Sequence, residues 1–396
     1  MTQYKTITKS KQTPVNDAWE AYLDVDKHGK QVLSSVEFTT TNMCNMRCAH
    51  CAVGQNLDFK DPEALPLELI LQRLDEIPTL RTISITGGEP MMNMKSVKNY
   101  VVPILKYAHE RGIYTQINSN LTLPLDRYEH VIPYLDVLHI SHNWTTVDEF
   151  IDVGFAYSKR KPSREQRKAL FEGMKSNAKA LSERGVIVSA ETMLNSRTLP
   201  YIESIHKEVV EEMNCARHEI HPMYPSGFLN ESNVLKMQDS LPSMYPSDFA
   251  SALEVASLED IRTGIHRLLD TRNQDVWMLF GTLPFYPCSD NDDDLKLQKR
   301  LFSEKNVTVR NDPDGRSRLN VNIFDGDIIV TDFGDTPPLG NIQTTTLPDA
   351  YTTWMESSIA QSLNCHCPSV QCLGPNVLVK DAYYPKIDFT KRSTNI

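Results

Sequence analysis

Three closely spaced cysteines are the residues of this chain that most directly indicate metal chemistry. Cys44, Cys48 and Cys51 follow the pattern C-x3-C-x2-C within the stretch TNMCNMRCAHCAVG. The chain has 8 cysteines in 396 residues, too few for a disulfide scaffold, and most of them lie in two short groups. This arrangement predicts metal binding rather than disulfide bonding.

The second group of cysteines lies near the end of the sequence. Cys365, Cys367 and Cys372 have the spacing C-x-C-x4-C, whereas Cys215 and Cys288 stand alone. A lone cysteine usually behaves as a small buried apolar residue, and this is the expectation for Cys215. The two groups are therefore the candidate metal sites.

Composition sets the class of protein. A chain of 396 residues predicts two or three domains, and 40% hydrophobic with 23% charged residues is ordinary for a soluble globular protein. The net charge of -10 disfavours nonspecific binding to nucleic acid or to an anionic membrane. The start of the sequence lacks a long apolar h-region, and no apolar stretch approaches the roughly 18 residues that would span a bilayer, so we expect a cytoplasmic protein.

Strand and helix patterns alternate between the two cysteine groups. The predicted strands lie in the segments VLSSVEFTT, LRTISITGGEP, IYTQINSN, VLHISHNW, VIVSAETML and HEIHPMYPSG. Segments with helical spacing, such as PLELILQRLDEIP, separate them. About six βα units over residues 32–227 predict an α/β fold with a parallel sheet, in the form of a partial (β/α)6 barrel. The first cysteines, the GGEP turn, and the NSN and SHN segments all fall at strand carboxyl ends, where such barrels carry their chemistry.

The number of cysteines in the first group has a chemical explanation. A [4Fe-4S] cubane has four irons and is usually held by thiolates, so three cysteines leave one iron open. An open coordination position distinguishes a reactive metal site from a closed structural one. The alternative is a structural zinc with a distant fourth ligand. His50 is too close in sequence to Cys48 and Cys51 to serve comfortably as that ligand.

These motifs resemble those of the radical S-adenosylmethionine (SAM) superfamily. The superfamily carries C-x3-C-x2-C after its first strand and a SAM-binding turn after its second, where this chain has Gly87, Gly88, Glu89 and Pro90. The resemblance implies that the open iron binds the amino and carboxylate groups of SAM. It also implies reductive cleavage of SAM to methionine and a 5'-deoxyadenosyl radical, which abstracts a hydrogen atom from the substrate.

The resemblance further implies SAM contacts for individual residues. The two glycines would let backbone carbonyls approach the SAM ammonium, while Glu89 supplies negative charge. His50 stands where relatives usually have an aromatic residue and would lie against the adenine. Asn118 and Ser119 at the third strand, and Ser141 at the fourth, would contact polar groups of SAM. The alternative for these strand-end residues is to cap the helix that follows.

The pattern changes after residue 227. The prediction is an N-terminal extension over 1–31, a helical linker over 228–284 and a new domain over 285–396 that contains a hairpin turning at residues 325–327. This last segment resembles the auxiliary-cluster domains called SPASM or twitch. The C-x-C-x4-C spacing places the whole chain closest to the radical SAM proteins named for a C-terminal CxCxxxxC motif.

The auxiliary-domain resemblance implies a second [4Fe-4S] cluster at Cys365, Cys367 and Cys372. The family's hairpin normally carries a cysteine ligand where this chain has Thr331. Cys288, after the sequence FYP, is the favoured fourth ligand, with His366 as an alternative. An open second iron and a structural zinc are the other possibilities.

Two classes of function follow from these observations. The favoured one is a radical SAM enzyme that acts on a peptide or protein, because SPASM-like domains accompany peptide modification in relatives. It would need an electron donor such as flavodoxin or ferredoxin. The alternatives are a radical SAM enzyme acting on a small metabolite and a non-catalytic cysteine-rich metal-binding protein.

Overall fold

The computed structural model describes residues 17–224, 255–331, 336–363, 365, 371–387 and 389. Eleven strands within these residues form one sheet. They are β1 (Ser35–Thr39), β2 (Thr82–Thr86), β3 (Tyr114–Ser119), β4 (Val137–Ser141), β5 (Ile187–Leu194), β6 (Arg217–Pro222), β7 (Trp277–Gly281), β8 (Val307–Arg310), β9 (Arg318–Asn322), β10 (Asp327–Ile329) and β11 (Gly340–Asn341). Their order in the sheet is β11-β10-β9-β1-β2-β3-β4-β5-β6-β7-β8.

Helices occupy most of the connections between the strands. The α-helices are α1 (Tyr22–His28), α2 (Leu67–Asp75), α3 (Met94–Ser96), α4 (Val102–Glu110), α5 (Leu125–Tyr128), α6 (Val147–Val153), α7 (Arg164–Glu183), α8 (Ile202–Lys207), α9 (Leu258–Thr271), α10 (Asp292–Ser303), α11 (Leu347–Glu356), α12 (Ser358–Leu363) and α13 (Val377–Tyr383). Short π-helical turns continue α3 and α8, at Val97–Val101 and Glu208–Glu212. A helix with the length and apolarity to span a bilayer is not found among the described residues.

The sheet is largely parallel. Each strand from β1 to β7 pairs in parallel with the next, and β9 pairs in parallel with the other side of β1. Among the described strands, only the pairs β9–β10 and β10–β11 are antiparallel. The described strands leave the sheet open, with β8 and β11 at its edges. The predicted α/β class with a mainly parallel sheet is confirmed, and the described strands do not close into a complete barrel, consistent with the predicted partial (β/α)6 barrel.

The two faces of the sheet differ in polarity because side chains alternate along a strand. Val36 and Phe38 of β1 and Ile83 of β2 pack with Ile70 and Leu74 of α2 in one apolar core. The intervening residues project to the opposite face, which is polar. Its members include Glu37, Ser84, Gln116, Asn118, His139, Glu191, Glu219 and His221.

The C-terminal hairpin agrees with the sequence prediction. Strands β9 and β10 are antiparallel, with Ile328 opposite Val321, and Gly326 in the turn has φ of 80°. This left-handed conformation is accessible to glycine at little cost. The hairpin turn predicted at residues 325–327 is therefore confirmed.

The sequence analysis did not predict several elements, among them strand β7 and helix α10. Strand β7 lies inside the range assigned to a helical linker, and it extends the parallel sheet beyond residue 227. A run of five apolar residues such as WMLFG has no periodicity that separates a buried strand from a buried helix. The acidic residues Asp292, Asp293 and Asp294 occupy the first turn of α10, where they interact favourably with the helix dipole. Residues 1–16 and 225–254 of the predicted extension and linker lie outside the described residues.

Candidate functional site

The loop that carries the first three cysteines follows β1 and is held by a carboxylate. Asp61 accepts hydrogen bonds from the Thr41 hydroxyl at 2.7 Å and from the Asn42 backbone at 2.7 Å. The Asn93 amide also donates to Asp61. These contacts fix the backbone just before Cys44. No sequence motif indicated Asp61.

The glycine turn after β2 packs directly on the same loop. The backbone N–H of Gly88 donates to the Thr41 carbonyl, and that of Glu89 donates to the Met43 carbonyl, both at 2.7 Å. A Cβ atom added to Gly87 would overlap the Thr41 carbonyl oxygen, and one added to Gly88 would overlap the Met43 carbonyl oxygen. Both glycines are therefore required for the close approach of the turn to the cysteine loop.

The other side of the cysteine loop is fastened to the end of α6. The backbone N–H of Arg47 donates to Gly154 at 3.0 Å, and that of Ala49 donates to Val153 at 2.9 Å. The Arg47 guanidinium donates to the carbonyls of Cys44 and Met46 at 2.7 and 2.8 Å. The loop is thus held between the glycine turn and α6.

The three thiols of this loop are in an environment that disfavours free thiolates. Burial raises the pKa of Cys44 to about 12 and that of Cys51 to about 11, and it raises the pKa of Cys48 well above its ordinary value. The positive charge of Arg47 acts against this rise at all three. Thiolates here need a strongly positive partner, and a metal-coordinated thiol is deprotonated outright. The donor set therefore fits an iron–sulfur cluster.

The described side chains do not form a ready-made site for a single metal ion. Within them, no three Cys, His, Asp or Glu side chains converge as the ligands of a single metal ion would. A cubane has an iron at each of four corners, so its thiolate ligands do not need to converge on one point. The arrangement of the three thiols is therefore compatible with a cluster.

Glu89 is fully buried between the ends of β2 and β3. Its carboxylate accepts hydrogen bonds from the Ser119 hydroxyl at 2.9 Å, from the Asn120 backbone at 2.7 Å and from the Met91 backbone at 3.2 Å. Burial raises the pKa of Glu89 to about 7, although these hydrogen bonds act in the opposite direction. The structure thus brings Glu89 and Ser119 together, and the carboxylate holds the end of β3 beside the cysteine loop.

Asn118 and Ser119 point to opposite faces of β3. The Asn118 amide donates to Glu37 at 3.2 Å and accepts from Gln116 at 2.8 Å, with its oxygen 3.1 Å from His139 Nδ1. Asn118 therefore belongs to the polar face of the sheet, whereas Ser119 contacts Glu89. Their direct contacts with SAM remain predictions.

The polar face carries a network of imidazoles and carboxylates. Glu191 lies 2.7 Å from His221 Nε2 and 3.2 Å from His139 Nε2, and Glu219 lies 3.4 Å from His139 Nε2. Burial alone would lower the pKa of His221, but the Glu191 carboxylate outweighs it and raises this pKa to about 9. Ser141 stands beside Glu191 in the register of β4 and β5. The sequence analysis did not predict this network. The alternating polar residues in HEIHP and VLHIS are the sequence signal that could have indicated it.

His50 connects the cysteine loop with the polar face. Its ring centroid is 5.2 Å from that of Trp144, and burial lowers its pKa to about 4, so the ring is neutral. The charge of Glu191 acts on the same imidazole. The predicted contact of His50 with adenine stays a prediction.

The second cysteine site brings together residues that are distant in sequence. Cys288, Cys365 and Cys372 belong to one cluster with Tyr286, and burial raises the pKa of Cys372 to about 12, with further contributions from Cys365 and Cys288. The backbone N–H of Gly374 donates to Cys372 Sγ at 3.4 Å. Cys367 and His366, two predicted candidates, lie outside the described residues.

Asn311 and Glu20 hold the loop around Cys372. The Asn311 amide donates to the Gln371 carbonyl at 3.0 Å and accepts from the Leu373 backbone at 3.1 Å. Its own backbone N–H donates to Glu20 at 2.8 Å. Cys215, by contrast, is buried in the main core, as predicted from its isolation.

Comparison with known families identifies the class of protein. The radical SAM superfamily model matches residues 38–209, which include the end of β1, the first cysteine loop, the glycine turn and β2 to β5. A YfkB-like domain model matches residues 244–394, which include the second cysteine site. The chain therefore belongs to the radical SAM superfamily, whose members use a [4Fe-4S] cluster and SAM.

Comparison with individual proteins places it more narrowly. The chain is 64% identical to protein YfkA of Bacillus subtilis (strain 168) over 380 residues, which is 96% of both proteins. The fold resembles Streptococcus suis SuiB bound to S-adenosylmethionine, with a TM-score of 0.57 and 14% identity over 90% of this chain and 76% of SuiB. It also resembles anSMEcpe with bound AdoMet, with a TM-score of 0.56 and 14% identity over 91% of this chain and 94% of that protein.

Proposed function

We propose that Cys44, Cys48 and Cys51 hold the [4Fe-4S] cluster of a radical SAM enzyme that acts on a peptide or protein. When bound, the cluster and SAM supply a 5'-deoxyadenosyl radical for hydrogen abstraction. The observation that carries the proposal is the cysteine loop, whose three thiols are fixed between the glycine turn and α6. Arg47 favours negative charge on these thiols.

The SAM site is proposed to lie between the cysteine loop and the strand ends. Glu89 holds Ser119 and Asn120 at the end of β3, and the glycine turn holds the loop. His50, Asn118 and Ser141 complete the set of proposed SAM contacts on the side of the polar face. These residues would orient the cofactor.

The second cysteine site is proposed to hold an auxiliary [4Fe-4S] cluster. Cys288, Cys365 and Cys372 would be ligands, together with Cys367. The proximity of Cys288 to Cys372 supports Cys288 as the fourth ligand. The proposed domain division is a radical SAM core over 32–227 and an auxiliary domain over 285–396, with a reductant such as flavodoxin or ferredoxin as partner.

A peptide substrate is supported by two observations. SuiB has been solved bound to the precursor peptide SuiA, and anSMEcpe with the Cp18Cys peptide, and both share the fold of this chain. In addition, the charged network of Glu191, His221 and His139 lies next to the cysteine loop and suits a polar substrate.

The proposal is tested with anaerobically reconstituted protein. We expect sulfide, about eight irons from two cubanes, and cleavage of SAM to 5'-deoxyadenosine under reducing conditions. Stoichiometric zinc without sulfide would contradict the radical SAM assignment of these cysteines.

The substrate class is tested by adding size fractions of a cell extract to the reconstituted protein and measuring SAM cleavage. Stimulation of SAM cleavage by the large fraction, lost after protease treatment, would support a peptide or protein. Stimulation by the small, protease-resistant fraction would instead identify a metabolite as substrate.

A further inference from the structure

The side chain of Asn120 lies between the end of β3 and the first cysteine of the loop. Its Nδ2 atom is 3.0 Å from Asn45 Oδ1 and 3.8 Å from Cys44 Sγ. Sulfur accepts longer and weaker hydrogen bonds than oxygen. The second contact is therefore an N–H···S hydrogen bond to a proposed cluster ligand.

The orientation of the Asn120 amide is fixed by its other partners. Its Oδ1 accepts hydrogen bonds from the Thr122 backbone at 3.0 Å and from the Thr122 hydroxyl at 2.7 Å. A backbone N–H can only donate, so the oxygen of the amide must face Thr122. The NH2 group is consequently directed at Asn45 and Cys44.

The backbone of Asn120 is held as firmly as its side chain. Its N–H donates to the fully buried carboxylate of Glu89 at 2.7 Å. The sulfur of Cys44 also accepts from the Met46 backbone at 3.4 Å. The Cys44 sulfur thus has one hydrogen-bond donor from its own loop, Met46, and one from Asn120, the residue that follows β3.

We propose that Asn120 is a positioning residue that raises the reduction potential of the cluster held by Cys44, Cys48 and Cys51. The inference rests on the proposed function of these cysteines. Reduction adds one electron from an external reductant, and part of the added negative charge resides on the sulfurs. An N–H donor at a cysteine sulfur stabilises this charge, and such hydrogen bonds are among the factors that set cluster potentials.

The test is a potentiometric titration of the reconstituted full-length protein, followed by electron paramagnetic resonance. The first cluster is identified as the signal that changes when SAM is added. Asn120→Ala removes the donor. We expect the equilibrium of the first cluster to shift about tenfold toward its oxidised state, which lowers the reduction potential of this one-electron couple by roughly 59 mV. Asn120→Asp places a carboxylate oxygen against the sulfur and is expected to lower the potential further.

Asn177→Ala is the matched control. The Asn177 amide donates to the carbonyls of Leu121 and Leu123 at 3.0 and 2.8 Å, and so supports the same turn from another side without a contact to sulfur. The reduction potential of the first cluster in the Asn177→Ala variant should equal that in the wild type.

Three results would overturn the inference. The first is an unchanged potential in both Asn120 variants, and the second is an equal shift in the Asn177 variant. The third is loss of the first cluster from both Asn120 variants while the Asn177 variant retains it, because Asn120 would then be only structural. Absence of a SAM-responsive cluster from the wild type would instead contradict the proposed function.

Discussion

A glutamate lies beside each cysteine site and accepts a hydrogen bond from the backbone N–H of an asparagine. Asn120 donates to Glu89 at the first site and Asn311 donates to Glu20 at the second, at 2.7 and 2.8 Å. Burial raises the pKa of both carboxyl groups to about 7. The asparagine side chains differ, since Asn120 reaches a cysteine sulfur, whereas Asn311 donates to the Glu20 carboxylate and binds backbone atoms on either side of Cys372.

This difference follows from how the two sites are assembled. The first three cysteines lie within one short loop, so their mutual positions are set locally, and the surrounding contacts can adjust the environment of the sulfur. The described cysteines of the second site come from segments far apart in sequence. Contacts such as those of Asn311 are needed there to bring the segments together.

The largest effect is expected from replacing one cysteine at each site. Cys44→Ala should remove about half of the iron and abolish SAM cleavage, whereas Cys372→Ala should remove a similar amount but leave 5'-deoxyadenosine formation measurable. Cys215→Ala is the control and should retain all the iron, since Cys215 lies in the apolar core. Iron analysis and chromatography of the SAM products measure these outcomes. Loss of SAM cleavage in the Cys372 variant would show that the two sites are not independent.

The second prediction concerns the packing of the glycine turn on the first loop. Gly88→Ala would force the turn away from the Met43 carbonyl, and we expect loss of most SAM binding together with a lower melting temperature. Gly173→Ala is the control because an added Cβ meets open space on α7, where alanine should stabilise the helix by about 0.5–1 kcal/mol. Thermal unfolding and SAM titration compare the two variants. Normal SAM affinity in Gly88→Ala would contradict the required close approach.

The third prediction compares the two glutamates. Glu89→Gln should keep the iron of the first cluster but weaken SAM binding about tenfold, because one charge-assisted hydrogen bond is worth roughly 1.5 kcal/mol or more. Glu20→Gln should leave SAM affinity unchanged, since Glu20 contacts the second site. A SAM titration at matched iron content measures both. Equal affinities in the two variants would remove Glu89 from the proposed SAM site.

The smallest effect is expected in the pH dependence of stability. The pKa of Glu20 is raised from 4.5 to about 7 in the folded protein, so the folded state binds more protons than the unfolded state between these values. Stability from this group is complete below about pH 4.5 and is lost as the pH rises to about 7. Glu20→Gln should make the decline in unfolding free energy across this range shallower by on the order of 1 kcal/mol. Denaturant unfolding at several pH values tests this, and an unchanged slope would contradict it.

The parts of the fold and site that were predicted depend on local patterns. The alternation of strands and helices predicted the parallel sheet, and the short turn around Gly326 predicted the hairpin. The spacing of Cys44, Cys48 and Cys51, with the glycine turn, predicted the radical SAM class. Each of these features depends on residues that are close together in the chain, so it is visible in the sequence itself.

The amino-acid sequence by itself determined the superfamily, the α/β class and the set of candidate cysteines. Only the tertiary structure showed that Asp61 holds the cysteine loop and that Asn120 reaches Cys44. It also placed Cys288, which the sequence analysis favoured as a ligand, beside Cys372. The physical reason is that each of these contacts joins segments separated by many residues. Their meeting depends on how the strands and helices pack, and neither spacing nor periodicity along the chain encodes that packing.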